Sequence, residues 1–290
     1  MVARVFALLC VLLTLAACTG SRERTAHTDD RAEPVTPGTT ATQTLDFDGA
    51  ARTFRLHLPA RSAGDLPLVL MLHGGAGSGE QAELAYGWNA QADRSGFAVA
   101  YPDGVGRAWN AGGGCCGSAA ADQVDDVGFL SALVRELIDT WHIDPRRVYA
   151  AGMSNGGMMA YALACRTDLF AAIGAVSATS LDACEAPKPV SVMHIHGGAD
   201  RLVRLDGERG TGIARIDGPP VEEVAAFWRA VDDCGPASTR TEGRVSTTTA
   251  ACAAGRAVTT VVKDGAGHQW PHTDPNATAL LWQFFAAHPG

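Results

Sequence analysis

Six apolar runs of strand length punctuate the chain: Leu66–Leu72, Phe97–Tyr101, Arg147–Ala151, Phe170–Ser177, Val190–Ile195 and Ala257–Val262. Runs that stay apolar at consecutive positions, rather than at every second one, predict strands buried on both faces, as in a parallel sheet. Between them, apolar positions recur at helical spacing over Glu80–Arg94, Asp126–Trp141 after a capping Asp125, Asn155–Arg166, Val221–Asp232 and Ala277–His288. Ahead of the first run, Thr44–Asp48 and Arg52–Leu58 flank Gly49-Ala50-Ala51 and predict an antiparallel hairpin. Strands alternating with helices define the α/β class: a doubly wound, mostly parallel sheet with helices on both faces. Neither an internal repeat nor a second composition zone interrupts the pattern, so one domain is expected from 44 to 290.

The N-terminal pattern is different. A basic Arg4 and the apolar stretch Val5–Ala17 read as a signal peptide over residues 1–17, too short and too early for a convincing membrane span. The stretch closes on Leu15-Ala16-Ala17-Cys18, which resembles a bacterial lipobox and predicts a lipid on Cys18 that anchors the chain to a membrane; the bland alternative is a plain signal cut nearby. Thr19–Gln43 is polar without apolar periodicity, so residues 18–43 are expected to be a lipidated cysteine and a disordered tether.

Composition narrows the classes. The 290 residues are 47% hydrophobic and 19% charged, ordinary for a globular chain, and the formal charge of −8 with no Lys/Arg run argues against a nucleic-acid partner. Beyond Cys10 and Cys18, six cysteines remain, and an even count in an exported chain suggests disulfides. Cys234 with Cys252 is the pairing we favour, since they flank a Thr/Ser/Gly-rich excursion; Cys115, Cys116, Cys165 and Cys184 stay unassigned. No CxxC pair exists, so no metal site is expected.

The candidate chemistry centres on Gly152-Met153-Ser154-Asn155-Gly156, placed between a strand and a helix. A serine on such a sharp elbow projects its hydroxyl outward, and the flanking glycines allow strand and helix to approach. Serine is a weak nucleophile, so a histidine must take its proton and a carboxylate must orient that histidine, following in the order acid then histidine. Asp200 in His196-Gly197-Gly198-Ala199-Asp200 and His268 in Gly265-Ala266-Gly267-His268 each follow a strand and fit. Asp206, Asp217, Asp264, His272 and His288 compete; His194 and His196 read as satisfied strand histidines. Two backbone N–H donors must face the developing oxyanion. Asn155 and Gly75, the latter in His73-Gly74-Gly75-Ala76-Gly77, are expected to supply them. Glu80 stands where a dinucleotide-binding glycine would be needed, which argues against a nucleotide cradle. Trp109 and Trp270, in loops beside these elements, are candidates either for substrate binding or for core packing.

These residues resemble the polyhydroxybutyrate depolymerase-like esterase family, which includes feruloyl and acetylxylan esterases and lipoprotein esterases of mycobacterial type. The resemblance rests on Leu72-His73-Gly74, Tyr101-Pro102-Asp103-Gly104, Trp109-Asn110, Cys115-Cys116-Gly117, Asp125-Asp126-Val127-Gly128-Phe129, the serine elbow, His196-Gly197 with Asp200, and Gly267-His268 with Trp270-Pro271. It implies an α/β-hydrolase fold, ester hydrolysis through an acyl-serine, no cofactor, and a secreted or cell-surface location. Arg201 and His272 stand where similar sequences often carry Pro and Gly, which bears on substrate preference rather than reaction type. The competing readings are a serine peptidase of related fold and a non-catalytic surface lipoprotein.

Overall fold

The strand Leu66–Leu72 (β3) is buried at all seven positions, and its side chains divide by parity. Leu68, Leu70 and Leu72 join one hydrophobic cluster while Val69 and Met71 join another, as the two-residue pleat of a strand dictates. A continuous apolar run is therefore the signature of a layer with a core on each side. The computed structural model describes residues 35–61, 64–212 and 215–290. The signal segment, Cys18 and the part of the expected tether up to residue 34 lie outside the described residues.

The remaining strands are Thr40–Phe47 (β1), Ala50–His57 (β2), Ala98–Pro102 (β4), Ile143–Met153 (β5), Ala172–Val176 (β6), Ser191–Gly197 (β7), Ser238–Glu242 (β8), Val245–Ala251 (β9) and Ala257–Lys263 (β10). The helices are Gly79–Tyr86 (α1), Trp88–Ser95 (α2), Gly117–Ala121 (α3), Asp126–Trp141 (α4), Asn155–Arg166 (α5), Val221–Val231 (α6) and Ala277–Ala287 (α7). One sheet carries the strands in the order β1-β2-β4-β3-β5-β6-β7-β10-β9-β8. From β4 to β10 neighbours are parallel, and the hairpins β1–β2 and β8–β9 extend the two edges antiparallel. Helices α4, α5 and α6 contribute Phe129, Leu133, Met159, Leu163 and Trp228 to the core on one face. On the other, α1, α2 and α7 contribute Tyr86, Trp88, Leu281 and Phe285.

Two local expectations are corrected. Glu80–Arg94 is not one helix: Gly87 sits at φ 73° and ψ 18°, a left-handed conformation that glycine adopts freely, and it ends α1 and starts α2. Thr40–Gln43, assigned to the tether, forms the first half of β1 in register with Phe54–His57. That half is held by polar contacts, Thr40 Oγ1 lying 3.1 Å from both His57 Nδ1 and Asn89 Nδ2, so it carries no apolar signal. The Thr/Ser-rich excursion after Cys234 is the hairpin β8–β9, whose strands are knit by cross-strand hydroxyl pairs, Thr239 with Thr248 at 2.8 Å and Thr241 with Ser246 at 3.0 Å. Disulfides join Cys115 to Cys116, Cys165 to Cys184 and Cys234 to Cys252.

Candidate active site

Strand β5 ends at Met153 and helix α5 begins at Asn155, which leaves Ser154 alone to make the turn, at φ 54° and ψ −119°. A side-chain-bearing residue in that region costs roughly 1–3 kcal/mol and persists only where its surroundings impose it. Here the Ser154 N–H donates to Val176 O at 2.8 Å and the Met158 N–H donates to Ser154 O at 2.9 Å. The elbow glycines are required sterically. A Cβ on Gly152 would collide with the backbone carbonyl of Gly156, and one on Gly156 with the carbonyls of Leu72 and His73.

The candidate acid and base, Asp200 and His268, come from neighbouring loops. Asp200 follows β7 and His268 follows β10, strands that pair in parallel and so end on the same edge of the sheet. Their loops are sewn together: the Gly198 N–H donates to Lys263 O and the Ala199 N–H to Ala266 O, both at 2.8 Å. The carboxylate of Asp200 is fully buried within this seam. Oδ1 accepts the backbone N–H groups of Leu202 at 2.8 Å and Val203 at 3.1 Å, and Oδ2 accepts His268 Nδ1–H at 2.7 Å. Burial alone would push the Asp200 carboxyl up, but donation from His268 and from the two backbone groups outweighs it and holds the group below its ordinary range. With Nδ1 committed to the carboxylate, neutral His268 presents Nε2 as a proton acceptor.

The loop after β3 lies against the elbow. A Cβ built on Gly74 would be 3.7 Å from Ser154 Cβ, and one on Gly75 3.9 Å from Asn155 Cβ. His73 fixes the loop from within: its Nε2 accepts the Gly104 N–H at 3.0 Å, so Nδ1 carries the proton and donates to Gly74 O at 2.8 Å. Burial lowers the His73 pKa, which keeps the ring neutral in this tautomer. Trp109 Nε1–H donates to His73 O at 2.9 Å and its ring packs 4.8 Å from the His73 ring. The same Trp109 exchanges hydrogen bonds with the Asn155 side chain, its N–H donating to Oδ1 at 2.7 Å and its carbonyl accepting from Nδ2 at 3.0 Å. One buried tryptophan thus couples the glycine loop to the helix that starts at the serine.

The candidate site thus comprises an elbow at Ser154, a seamed Asp200–His268 pair and a braced glycine loop. Residues 52–218, which contain Ser154 and Asp200, match the family model described as Esterase PHB depolymerase. The chain belongs to that esterase family. The esterase is 35% identical over 275 residues to NocK of Nocardia uniformis subsp. tsuyamanensis, which carries an esterase name, covering 82% of this chain and 76% of the relative. It is 29% identical over 230 residues to Feruloyl esterase B of Piromyces equi, covering 72% of this chain and 41% of that longer protein. Among solved structures, an acetyl xylan esterase from Aspergillus awamori superposes with a TM-score of 0.65 at 16% identity, covering 85% of this chain and 99% of the other. The esterase therefore has an α/β-hydrolase fold and is a carboxylic ester hydrolase.

The structure of the esterase brings together Asp200 and His268, and sets Gly75 beside Asn155. Of the two readings open for Trp109 and Trp270, substrate binding or core packing, the burial of both side chains fits core packing. Trp109 has no exposed surface and serves as the brace just described. Trp270 is 5% exposed, stacks on Tyr86 at 4.6 Å and donates from Nε1 to Thr278 Oγ1 at 3.1 Å. Several motif residues that carried the family resemblance likewise turn out to be scaffolding. The Asn110 N–H donates to Asp126 Oδ2 at 2.9 Å, and Asp126 Oδ1 pairs with Arg52 at 2.8 Å inside the protein. What sequence reasoning missed is the side chain of Asn155; a polar residue directly after Ser154, at the start of a helix, was the available signal.

Proposed function

We propose that the esterase cleaves its substrates through an acyl-serine intermediate, with Ser154 as nucleophile, His268 as general base and acid, and Asp200 as the group that orients His268. Ser154 Oγ attacks the ester carbonyl carbon while His268 Nε2 takes the hydroxyl proton. The carbonyl oxygen becomes an oxyanion facing the backbone N–H groups of Gly75 and Asn155, the latter in the first turn of α5 where N–H groups lack intrahelical partners. Collapse breaks the bond to the alcohol, which leaves with the proton held on His268. Water then attacks the acyl-serine, again losing a proton to His268, and collapse returns that proton to Ser154 and releases the acid. The observation that carries this reading is the 2.7 Å bond from His268 Nδ1 to the buried Asp200 carboxylate, on loops adjoining an elbow whose serine is held at positive φ.

For the substrate we propose short-chain or polymer-linked esters, of the hydroxyalkanoate, acetyl or hydroxycinnamoyl kind. Support comes from the names of the relatives and from the short connection between β6 and β7, pinned to α5 by Cys165–Cys184, which leaves little chain to build a lid. Three disulfides support export to an oxidising compartment. We extend the proposal to lipid anchoring at Cys18. Ser154→Ala should reduce turnover of p-nitrophenyl acetate and butyrate by about a thousandfold or more, and should abolish labelling by a fluorophosphonate. Undiminished ester turnover in that variant would sink the assignment.

A further inference from the structure

A chain of three buried polar side chains stands behind the acid and has no part in the chemistry above. Tyr161 in α5 and His194 and His196 in β7 are each 2% exposed or less. Tyr161 Oη lies 2.8 Å from His194 Nδ1, His194 Nε2 lies 2.8 Å from His196 Nδ1, and His196 Nε2 lies 2.9 Å from Val203 O. The two imidazole rings are nearly coplanar in orientation, 9° apart with centroids 5.1 Å apart. Polar groups buried this deeply weaken a core unless each is paired, and here each is.

The pairing has a direction. A carbonyl oxygen accepts and never donates, so His196 Nε2 carries a hydrogen. Burial lowers the pKa of both histidines, which leaves one proton per ring. His196 Nδ1 is therefore an acceptor, His194 Nε2 a donor, His194 Nδ1 an acceptor and the Tyr161 hydroxyl a donor. Every N–H and O–H in the row points towards the turn that holds Asp200. There the His196 N–H meets Val203 O, in the residue whose own N–H binds Asp200 Oδ1, and it lies 3.5 Å from Asp200 Oδ2, the oxygen bound by His268.

We propose that Tyr161, His194 and His196 form a one-way hydrogen-bond chain that positions the acid of the triad, with His196 as the positioning residue that fixes the Asp200 turn and draws charge from Oδ2. The proposal rests on the triad reading above. The groups that face the two histidines are Tyr161 from α5, Asp200 from the loop after β7 and His268 from the loop after β10; Arg201, Arg204, Asp206 and Glu222 line a cleft shared with Asp200, where Arg204 is paired with Asp206 and Glu208. Without the His196 donor, Asp200 presents more charge to His268, stabilises its imidazolium, and moves the acidic limb of activity to higher pH.

Two measurements test this. In the histidine ring 15N spectrum of the wild-type protein, two rings should hold the neutral Nε2–H tautomer from pH 5 to pH 8; assignment of His196 as the Nδ1–H tautomer, or its protonation in that range, overturns the proposal. In kinetics, His196→Leu, with active sites counted by fluorophosphonate titration, should lose about tenfold in kcat on p-nitrophenyl butyrate with KM within about twofold, and its acidic limb should rise by about half a pH unit or more. His196→Gln, which keeps an N–H donor, should restore most of both. Tyr161→Phe, which cuts the far end, should lower the thermal midpoint and move the limb less than His196→Leu. A His196→Leu protein with wild-type kcat per site and an unmoved limb would refute the positioning role. Ser154→Ala separates the two readings, because surviving turnover there defeats the triad while leaving the tautomer measurement intact.

Discussion

Asn155 serves the site with two different parts of itself. Its backbone N–H sits in the first turn of α5, while its amide side chain closes a two-way bond with the Trp109 backbone at 2.7 and 3.0 Å. Asn155→Ala keeps the first and deletes the second. The Trp109 N–H is then left in a buried place without a partner, at about 1–3 kcal/mol, and the Trp109 carbonyl keeps only the Cys116 N–H at 3.0 Å, so both groups are held less firmly. The brace to His73 should loosen with them, because Trp109 Nε1–H is what holds the His73 carbonyl. We expect a clear drop in thermal midpoint, and a kcat lower by about tenfold to a hundredfold with KM little changed, since an oxyanion donor, the role proposed for the Asn155 N–H, acts mainly in the transition state. Loss of stability with wild-type kcat per titrated site would show that the glycine loop is held without Trp109. Ser154, Asp200 and His268 were visible in the sequence as residues of the right type placed just past strands. Trp109 and Trp270 were visible as candidates but not in their role, because a loop tryptophan's facing depends on partners such as His73, 36 residues away, that no local pattern reports.

At the scale of elements, what the sequence revealed depended on how each strand is buried. The six parallel strands were legible because both their faces are covered, which forces continuous apolar runs. The strand β8, Ser-Thr-Arg-Thr-Glu, is exposed at every position, and β9 reads Val-Ser-Thr-Thr-Thr-Ala-Ala, so hydroxyl pairing rather than hydrophobicity defines that hairpin. The residue that caps the C-terminus of α6 is a buried carboxyl, Asp232, whose Oδ1 accepts Arg256 Nε–H at 2.7 Å just ahead of β10. Burial pushes the Asp232 carboxyl up to about 6, against the pull of Arg256. In an unfolded chain the carboxyl ionises near pH 4, at about 3.9. Between these values the native state keeps a proton that the unfolded state has released. Stability from that proton is fully present below about pH 4 and is lost as the pH rises through about 6. Asp232→Asn cannot ionise, so urea unfolding should show the variant gaining on wild type as pH rises across that window; a difference that stays constant from pH 4 to 7 would rule the titration out.

Over the whole molecule, four separate loops deliver the candidate site to one edge of the sheet. The loops after β3, β5, β7 and β10 carry Gly75, Ser154, Asp200 and His268, and these four strands are parallel members of the sheet. The edge hairpin reaches this assembly at its tip, where Arg244 O accepts the Asp264 N–H at 2.8 Å just before the His268 loop. Cys234–Cys252 closes the opposite, open end of the same hairpin over a separation of 18 residues. Closure of a loop that size is worth about 3 kcal/mol through the unfolded chain. Between bridge and tip, β9 pairs with β10 continuously from Ala251↔Ala257 to Val245↔Lys263, so the tip is held by the ladder whether or not the bridge is present. Replacing both cysteines by alanine should therefore lower the unfolding free energy measured in urea by an amount near that figure and leave kcat at 25 °C unchanged. If kcat fell in step with stability, the bridge would have to be transmitting order through the hairpin to His268, and the edge of the sheet would belong to the active site.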